Sequence, residues 1–212
     1  VRPHLTRLDT PTPPVGLVLM LHGGKEASTQ VVDGRSASWR RSARMQRTIT
    51  PRVHTAGVST WLLGYRQRGW NGGSGPIADA RWALEEVRRE LGDLPVVLLG
   101  HSMGARTAVH VADDPSVVGV VALAPWFPPG EPLDALVGTP LVAGHGRSDH
   151  ITSARATAAY VDRLRAAGGR ADLHDMGRVG HYMFKRPWAW NDLAVQGALH
   201  LLEGGAVSPG TR

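Results

Sequence analysis

The chain has 212 residues, 42% hydrophobic and 20% charged, the composition of an ordinary globular protein with enough chain for one domain and a sizeable core. It contains no cysteine, which excludes a disulfide framework, a thiolate metal site and a thiol nucleophile. The net charge of +6 comes almost wholly from arginine, but these residues are scattered among acids from Arg2 to Arg212 and no nucleic-acid motif accompanies them, so nucleic acid is not an expected partner.

No apolar run is long enough to cross a bilayer. The start, Val1 to Arg7, is too polar for a signal peptide, and a cytoplasmic location is the expectation. Composition specifies no oligomeric state. The chain reads as a single domain over 1–212, with short flexible ends at about 1–10 and 205–212.

Val15 to Leu21 is an apolar run of strand length, the kind covered on both faces in a parallel sheet, and it ends in His22-Gly23-Gly24. A polar, mobile loop is expected from Lys25 to about Gly34. Helical spacing follows from Ser36 to Arg47, with Pro51 a break or kink. Arg40, Arg44 and Arg47 stand at i, i+4 and i+7 beside Arg41, which reads as a solvated basic face. Thr60 to Tyr65 is the next strand, followed by a glycine-rich loop. Pro76 opens a helix whose apolar face is Ala80, Ala83, Leu84 and Val87.

Leu94 to Leu99 reads as a buried strand and Ala105 to Ala112 as a helix. Further strands are expected at Val117–Leu123, Pro140–Gly144 and Ala171–His174. A helix over Ser153–Ala167 stops at Gly168-Gly169, and a last helix runs from Pro187 to about Gly204-Gly205. Strands alternating with helices predict an α/β fold with a mainly parallel sheet.

Between the strand at Leu94 and the helix at Ala105 lies Gly100-His101-Ser102-Met103-Gly104. A serine on a tight strand-to-helix turn exposes its hydroxyl above a helix N-terminus, whose free N–H groups suit a developing negative charge. A hydroxyl is a poor nucleophile until a base takes its proton, and a carboxylate must orient that base. In open parallel sheets such groups gather beyond the carboxyl ends of the strands. Asp149 follows one strand by a short turn, and His181, preceded by a glycine, follows the last.

His22-Gly23-Gly24, Gly64-Tyr65-Arg66, the pentapeptide around Ser102, Gly144 to Asp149, and Gly180-His181 stand in the order of the α/β-hydrolase superfamily. The chain resembles that superfamily from about Leu17 to Leu202, in a form with a minimal lid, since only about a dozen residues separate Ala124 from Pro140. The resemblance implies Ser102 as nucleophile, Asp149 as acid and His181 as general base. It implies an oxyanion hole from the backbone N–H of Met103 and one from the first glycine turn, with Gly24 favoured and Lys25 the neighbouring choice. The implied activity is that of a serine hydrolase cleaving carboxylic esters or thioesters of a small-molecule acyl substrate, with no cofactor; amidase, peptidase or acyltransferase chemistry uses the same residues. A non-catalytic binding protein of this fold is the remaining alternative.

Most of the 10 histidines have bland roles. His101 packs behind the serine, His22 supports its turn, and His145 with His150 is the only near pair, lacking the spacing of a metal site. No metal is expected. Gly23-Gly24-Lys25 is not a phosphate loop, because Leu19 and Glu26 stand where glycine and a hydroxyl residue belong. Lys25, Arg66, Trp126, Phe127, Met183 and Trp188 lie near the expected site edge and are candidates for substrate contact, with Arg66 also able to anchor its own loop.

Overall fold

In the computed structural model, which describes residues 2–206, two runs that are apolar but for a terminal histidine in the second form the middle of the molecule. They are β2 (Gly16–Leu21) and β4 (Val96–His101), both buried from end to end. Their neighbours are β3 (Val58–Gly64), β5 (Val117–Leu123), β6 (Leu141–His145), β7 (Ala171–Asp175) and an edge strand, β1 (His4–Leu8). The 7-stranded sheet has the order β1-β3-β2-β4-β5-β6-β7 and is parallel except for β1.

Side chains alternate across each strand, so the sheet builds two cores. Leu17, Leu19, Leu21, Val96 and Leu98 face α2 (Ser74–Leu91), α3 (Met103–His110) and α4 (Ala154–Ala166). Val18, Met20, Val97 and Leu99 face α1 (Ala37–His54) and α5 (Pro187–Ala206). In α2 the expected stripe of Ala80, Ala83, Leu84 and Val87 is fully inside. Arg40, Arg44 and Arg47 on α1 are exposed. Among the described residues, no helix is long and apolar enough to cross a membrane.

The structure differs from the sequence reading in several places. His4–Leu8 is no flexible end but a strand paired antiparallel with β3, from His4 opposite Gly64 to Leu8 opposite Thr60. An edge strand is served by one neighbour and needs no apolar run. Here Arg7 lies over the Trp61 ring at 4.4 Å, and Gln46 Nε2 donates to the Thr6 carbonyl at 3.0 Å. The expected flexible end at 205–212 falls mostly outside the described residues, and α5 runs to Ala206.

Pro51 does not end α1, which continues to His54. A proline removes one i→i−4 bond and crowds the carbonyl of Arg47. That carbonyl lies on the exposed side, while Ile49, Thr50 and Val53 are buried against the sheet and hold the helix on course. The loop from Lys25 is tied to the one after β3 by Lys25 N–H to the Arg68 carbonyl and Arg68 N–H to the Gln30 carbonyl, each 2.8 Å.

The β4–α3 turn depends on close backbone approach. A Cβ at Gly104 would run into the Leu21 carbonyl, and one at Gly100 into the backbone of Ala105. Gly34, by contrast, has open space around it. Gly104→Ala is therefore expected to lower unfolding stability by about 2–4 kcal/mol, and Gly34→Ala to stay within about 0.5 kcal/mol, in chemical denaturation monitored by circular dichroism.

Candidate functional site

Ser102 occupies the residue between β4 and α3 with φ +56 and ψ −117, a conformation that a non-glycine residue adopts only under strong constraint. Its N–H donates to the Leu123 carbonyl at 3.1 Å, and its own carbonyl accepts from Ala105 N–H and Arg106 N–H in the first turn of α3. The backbone thus grips the residue on both sides and leaves the hydroxyl pointing out of the turn.

Loops beyond the ends of β6 and β7 bring Asp149 and His181 to that hydroxyl. Ser102 Oγ is 3.0 Å from His181 Nε2, and His181 Nδ1 is 2.8 Å from Asp149 Oδ2. With Asp149 ionised, Nδ1 carries the proton and Nε2 is left to accept one from Ser102. All three side chains are buried.

Asp149 has both oxygens occupied. Oδ1 accepts from the N–H groups of Ile151 at 2.8 Å and Thr152 at 2.9 Å. Oδ2 accepts from His181, from the Thr152 hydroxyl at 2.9 Å, and lies 3.2 Å from His145 Nε2. Burial pushes this carboxyl up, but the hydrogen bonds from His145, His181, Thr152 and Ile151 outweigh it and hold it well below the ordinary carboxylate range.

Sequence reasoning missed Thr152 and the part played by His145. Thr152 Oγ1 also lies 3.1 Å from His181 Nδ1, and His145 Nδ1 is 2.8 Å from Thr157 Oγ1. The available signal was an aspartate followed three residues later by threonine, a turn in which an Asp side chain accepts from nearby backbone N–H groups. His145 is thus committed to Asp149 and Thr157, and His150 is exposed.

His101 is buried beneath the site as expected. Its Nε2–H donates to the His181 carbonyl at 3.0 Å, and its ring lies 4.9 Å from the His181 ring. Burial, with a contribution from His181, lowers its pKa to about 3, so it stays neutral. His22 Nδ1 donates to the Gly23 carbonyl at 2.6 Å, and burial lowers its pKa to about 4. It braces the turn carrying Gly24.

Gly24 sits against Met103, because a Cβ there would collide with the Met103 sulfur. Neither the Gly24 nor the Met103 N–H donates a hydrogen bond among the described residues. Lys25 N–H is spent on the Arg68 carbonyl, which removes it from the choice that the sequence left open.

The proposed substrate contacts fare differently. Phe127 is in the core, stacked on Tyr160 with centroids 4.2 Å apart, and Met183 is buried in the core beneath α1 and α5. Both were drawn inward because their loops need an apolar anchor as much as any substrate would. Arg66 anchors its loop: its N–H and Nε donate to the two Asp79 carboxylate oxygens at 2.8 and 2.5 Å. It borders a cleft of about 550 Å³ lined also by Asn71, Ser74 and Pro76, which contains none of Ser102, Asp149 and His181. Trp126 is half-buried and its N–H reaches the Ser102 carbonyl at 3.3 Å. Its ring meets that of Trp70 edge-to-face, and the Arg106 guanidinium sits in the corner between them, 4.5 and 4.2 Å from the two centroids. The Lys25 side chain and Trp188 are exposed.

Comparison with known proteins agrees with this architecture. A family model described as serine aminopeptidase, S33, matches residues 56–137. No curated protein matches the chain by sequence. Among solved structures, an α/β serine hydrolase homologue from Coxiella burnetii superposes with a TM-score of 0.70 at 16% identity, over 92% of this chain and 91% of that one. A thermophilic esterase from Thermogutta terrifontis, solved with butyrate bound, gives 0.69 at 17% identity over 100% and 92%. A serine hydrolase without a lid from Xanthomonas campestris gives 0.65 at 17% identity over 100% and 97%. Between β5 and β6 this chain has a single 3-10 turn, Asp134–Leu136, and no α-helix. The chain has the α/β-hydrolase fold, in a form without a separate helical lid.

Proposed function

We propose that the chain is a serine hydrolase that cleaves carboxylic esters through an acyl-enzyme on Ser102. The observation that carries this reading is the hydrogen-bonded series from Ser102 Oγ through the His181 imidazole to Asp149. Ser102 Oγ attacks the ester carbonyl while His181 Nε2 takes its proton. Ionised Asp149 stabilises the resulting imidazolium through Nδ1–H. In this reading the tetrahedral oxyanion is received by the N–H groups of Gly24 and Met103, which are not engaged among the described residues. His181 returns the proton to the departing alcohol, and water then repeats the sequence to release the carboxylic acid and free Ser102. The esterase from Thermogutta terrifontis with bound butyrate supports an ester as the bond cleaved.

The match to a serine aminopeptidase model supports a second reading, hydrolysis of an amide by the same residues. Paired p-nitrophenyl butyrate and aminoacyl p-nitroanilide assays separate the two. The ester should be favoured in kcat/KM, and the reverse order assigns the chain to peptide chemistry.

A fluorophosphonate probe should add its mass to the wild-type chain and not to Ser102→Ala, which should also lose at least about 10⁴-fold in kcat. Labelling that survives Ser102→Ala places the nucleophile elsewhere.

The pH dependence follows from the sign of the Asp149 shift. A carboxyl held below its ordinary range is ionised wherever a histidine titrates, so only one proton should govern the acid limb of kcat/KM. That limb should have unit slope. A slope of two contradicts the assignment of base and acid.

A further inference from the structure

Beside the His181 loop lies a surface that the reaction does not use. Helix α1 contains no acidic residue from Ala37 to His54. Its Arg40, Arg44 and Arg47 are exposed and none forms an ion pair among the described residues. Segment 182–188 runs Tyr-Met-Phe-Lys-Arg-Pro-Trp, also without an acid. Positive φ at Met183 and Arg186 turns Met183 into the core and leaves its neighbours outside. Tyr182, Phe184 and Trp188 are 45%, 74% and 62% exposed.

Contacts at two points lay these segments side by side. The Arg41 guanidinium sits 4.6 Å from the Tyr182 ring centroid and 5.3 Å from that of Phe184. Farther along, Arg52 pairs with Asp192 at 2.7 Å. The stretch of α1 carrying Arg44 and Arg47 therefore runs along the segment carrying Lys185, Arg186 and Trp188. Asp192, the first acid after this segment, is already neutralised. The result is a surface on which the exposed, unpaired arginines of α1 lie on the solvent side of the helix alongside the exposed aromatic rings.

We propose that this patch docks the protein on an anionic lipid surface, with Phe184 and Trp188 entering the interface and the arginines of α1 over the headgroups. Aromatic rings that are apolar over most of their area and polar at one end favour the headgroup boundary, and nearby cations gain from its negative potential. Single-stranded nucleic acid also favours cations with aromatics, but Arg41 covers a face of both Tyr182 and Phe184 on which a base would stack. Tyr182 packs edge-on against the His181 ring at 5.4 Å, so docking here brings the Ser102 site to the lipid boundary.

The test is co-sedimentation of the full chain with vesicles of phosphatidylcholine alone or with about one third phosphatidylglycerol. Binding is expected only to the anionic vesicles and should weaken several-fold as salt is raised. The double variant Arg44→Glu/Arg47→Glu should bind at least about tenfold more weakly while hydrolysing a soluble short-chain ester at the wild-type rate. Phe184→Ser, with an unchanged thermal unfolding midpoint, should also weaken vesicle binding. Equal binding to neutral vesicles, no binding to either, or insensitivity to Arg44→Glu/Arg47→Glu overturns the proposal. So does binding of single-stranded nucleic acid that these substitutions abolish while vesicle binding is absent. Because vesicle binding is read separately from hydrolysis, loss of one result leaves the other standing.

Discussion

The contact on which this molecule's site depends is the approach of Gly104 to the end of β2. The first turn of α3 packs so close to the Leu21 and His22 carbonyls that no side chain fits between them. That approach forces the chain to reverse within one residue and holds Ser102 at positive φ. An unconstrained serine would relax to a common conformation and its hydroxyl would turn toward the helix. The cost of order 1–3 kcal/mol for such a conformation is borne by the two cores on either side of β4.

Asp149 is the electrostatic counterpart of that turn. A buried carboxylate without partners would take up a proton, and a protonated acid could not stabilise an imidazolium. Here the loop after β6 wraps its own N–H groups around one oxygen, and Thr152, His145 and His181 surround the other. The negative charge is therefore distributed over donors fixed in the fold. Its direction is fixed as well, because its donors lie in β6 and in the loops that leave β6 and β7.

The loop between β5 and β6 shows how a chain without a helical lid stiffens this region. Glu131 is buried, and Arg106 and His110 of α3 bind its carboxylate, with Arg106 Nε at 2.8 Å and His110 Nε2 at 2.6 Å. Burial would raise this carboxyl, but the hydrogen bonds from His110 and Arg106 bring it below its ordinary value. Arg106 in turn packs in the corner formed by the Trp70 and Trp126 rings. An ion pair buried in this way contributes more to placing the loop than to net stability. It keeps Trp126 against the serine turn.

Much of the fold was legible in the residues themselves. The short apolar runs at 15–21, 94–99 and 117–123 read as central strands, since period-two polar positions are missing from them. Gly-x-Ser-x-Gly between such a strand and a helix, followed in order by Asp149 and His181, points to serine chemistry from residue order alone. Local rules failed where a neighbour distant in sequence supplied the missing term. His4–Leu8 is a strand because β3 offers an edge, and α1 passes Pro51 because its buried face is held by the sheet. Trp126, Phe127 and Met183 have similar apolar character in the sequence, yet one lies beside the serine turn and the others inside the cores. Thr152, the unspent N–H of Gly24 and the alignment of α1 with 182–188 likewise depend on distances between separate segments. Residue types and their order carry the chemistry that is available; the packing of segments against one another determines which groups meet, which are buried, and which remain free to bind.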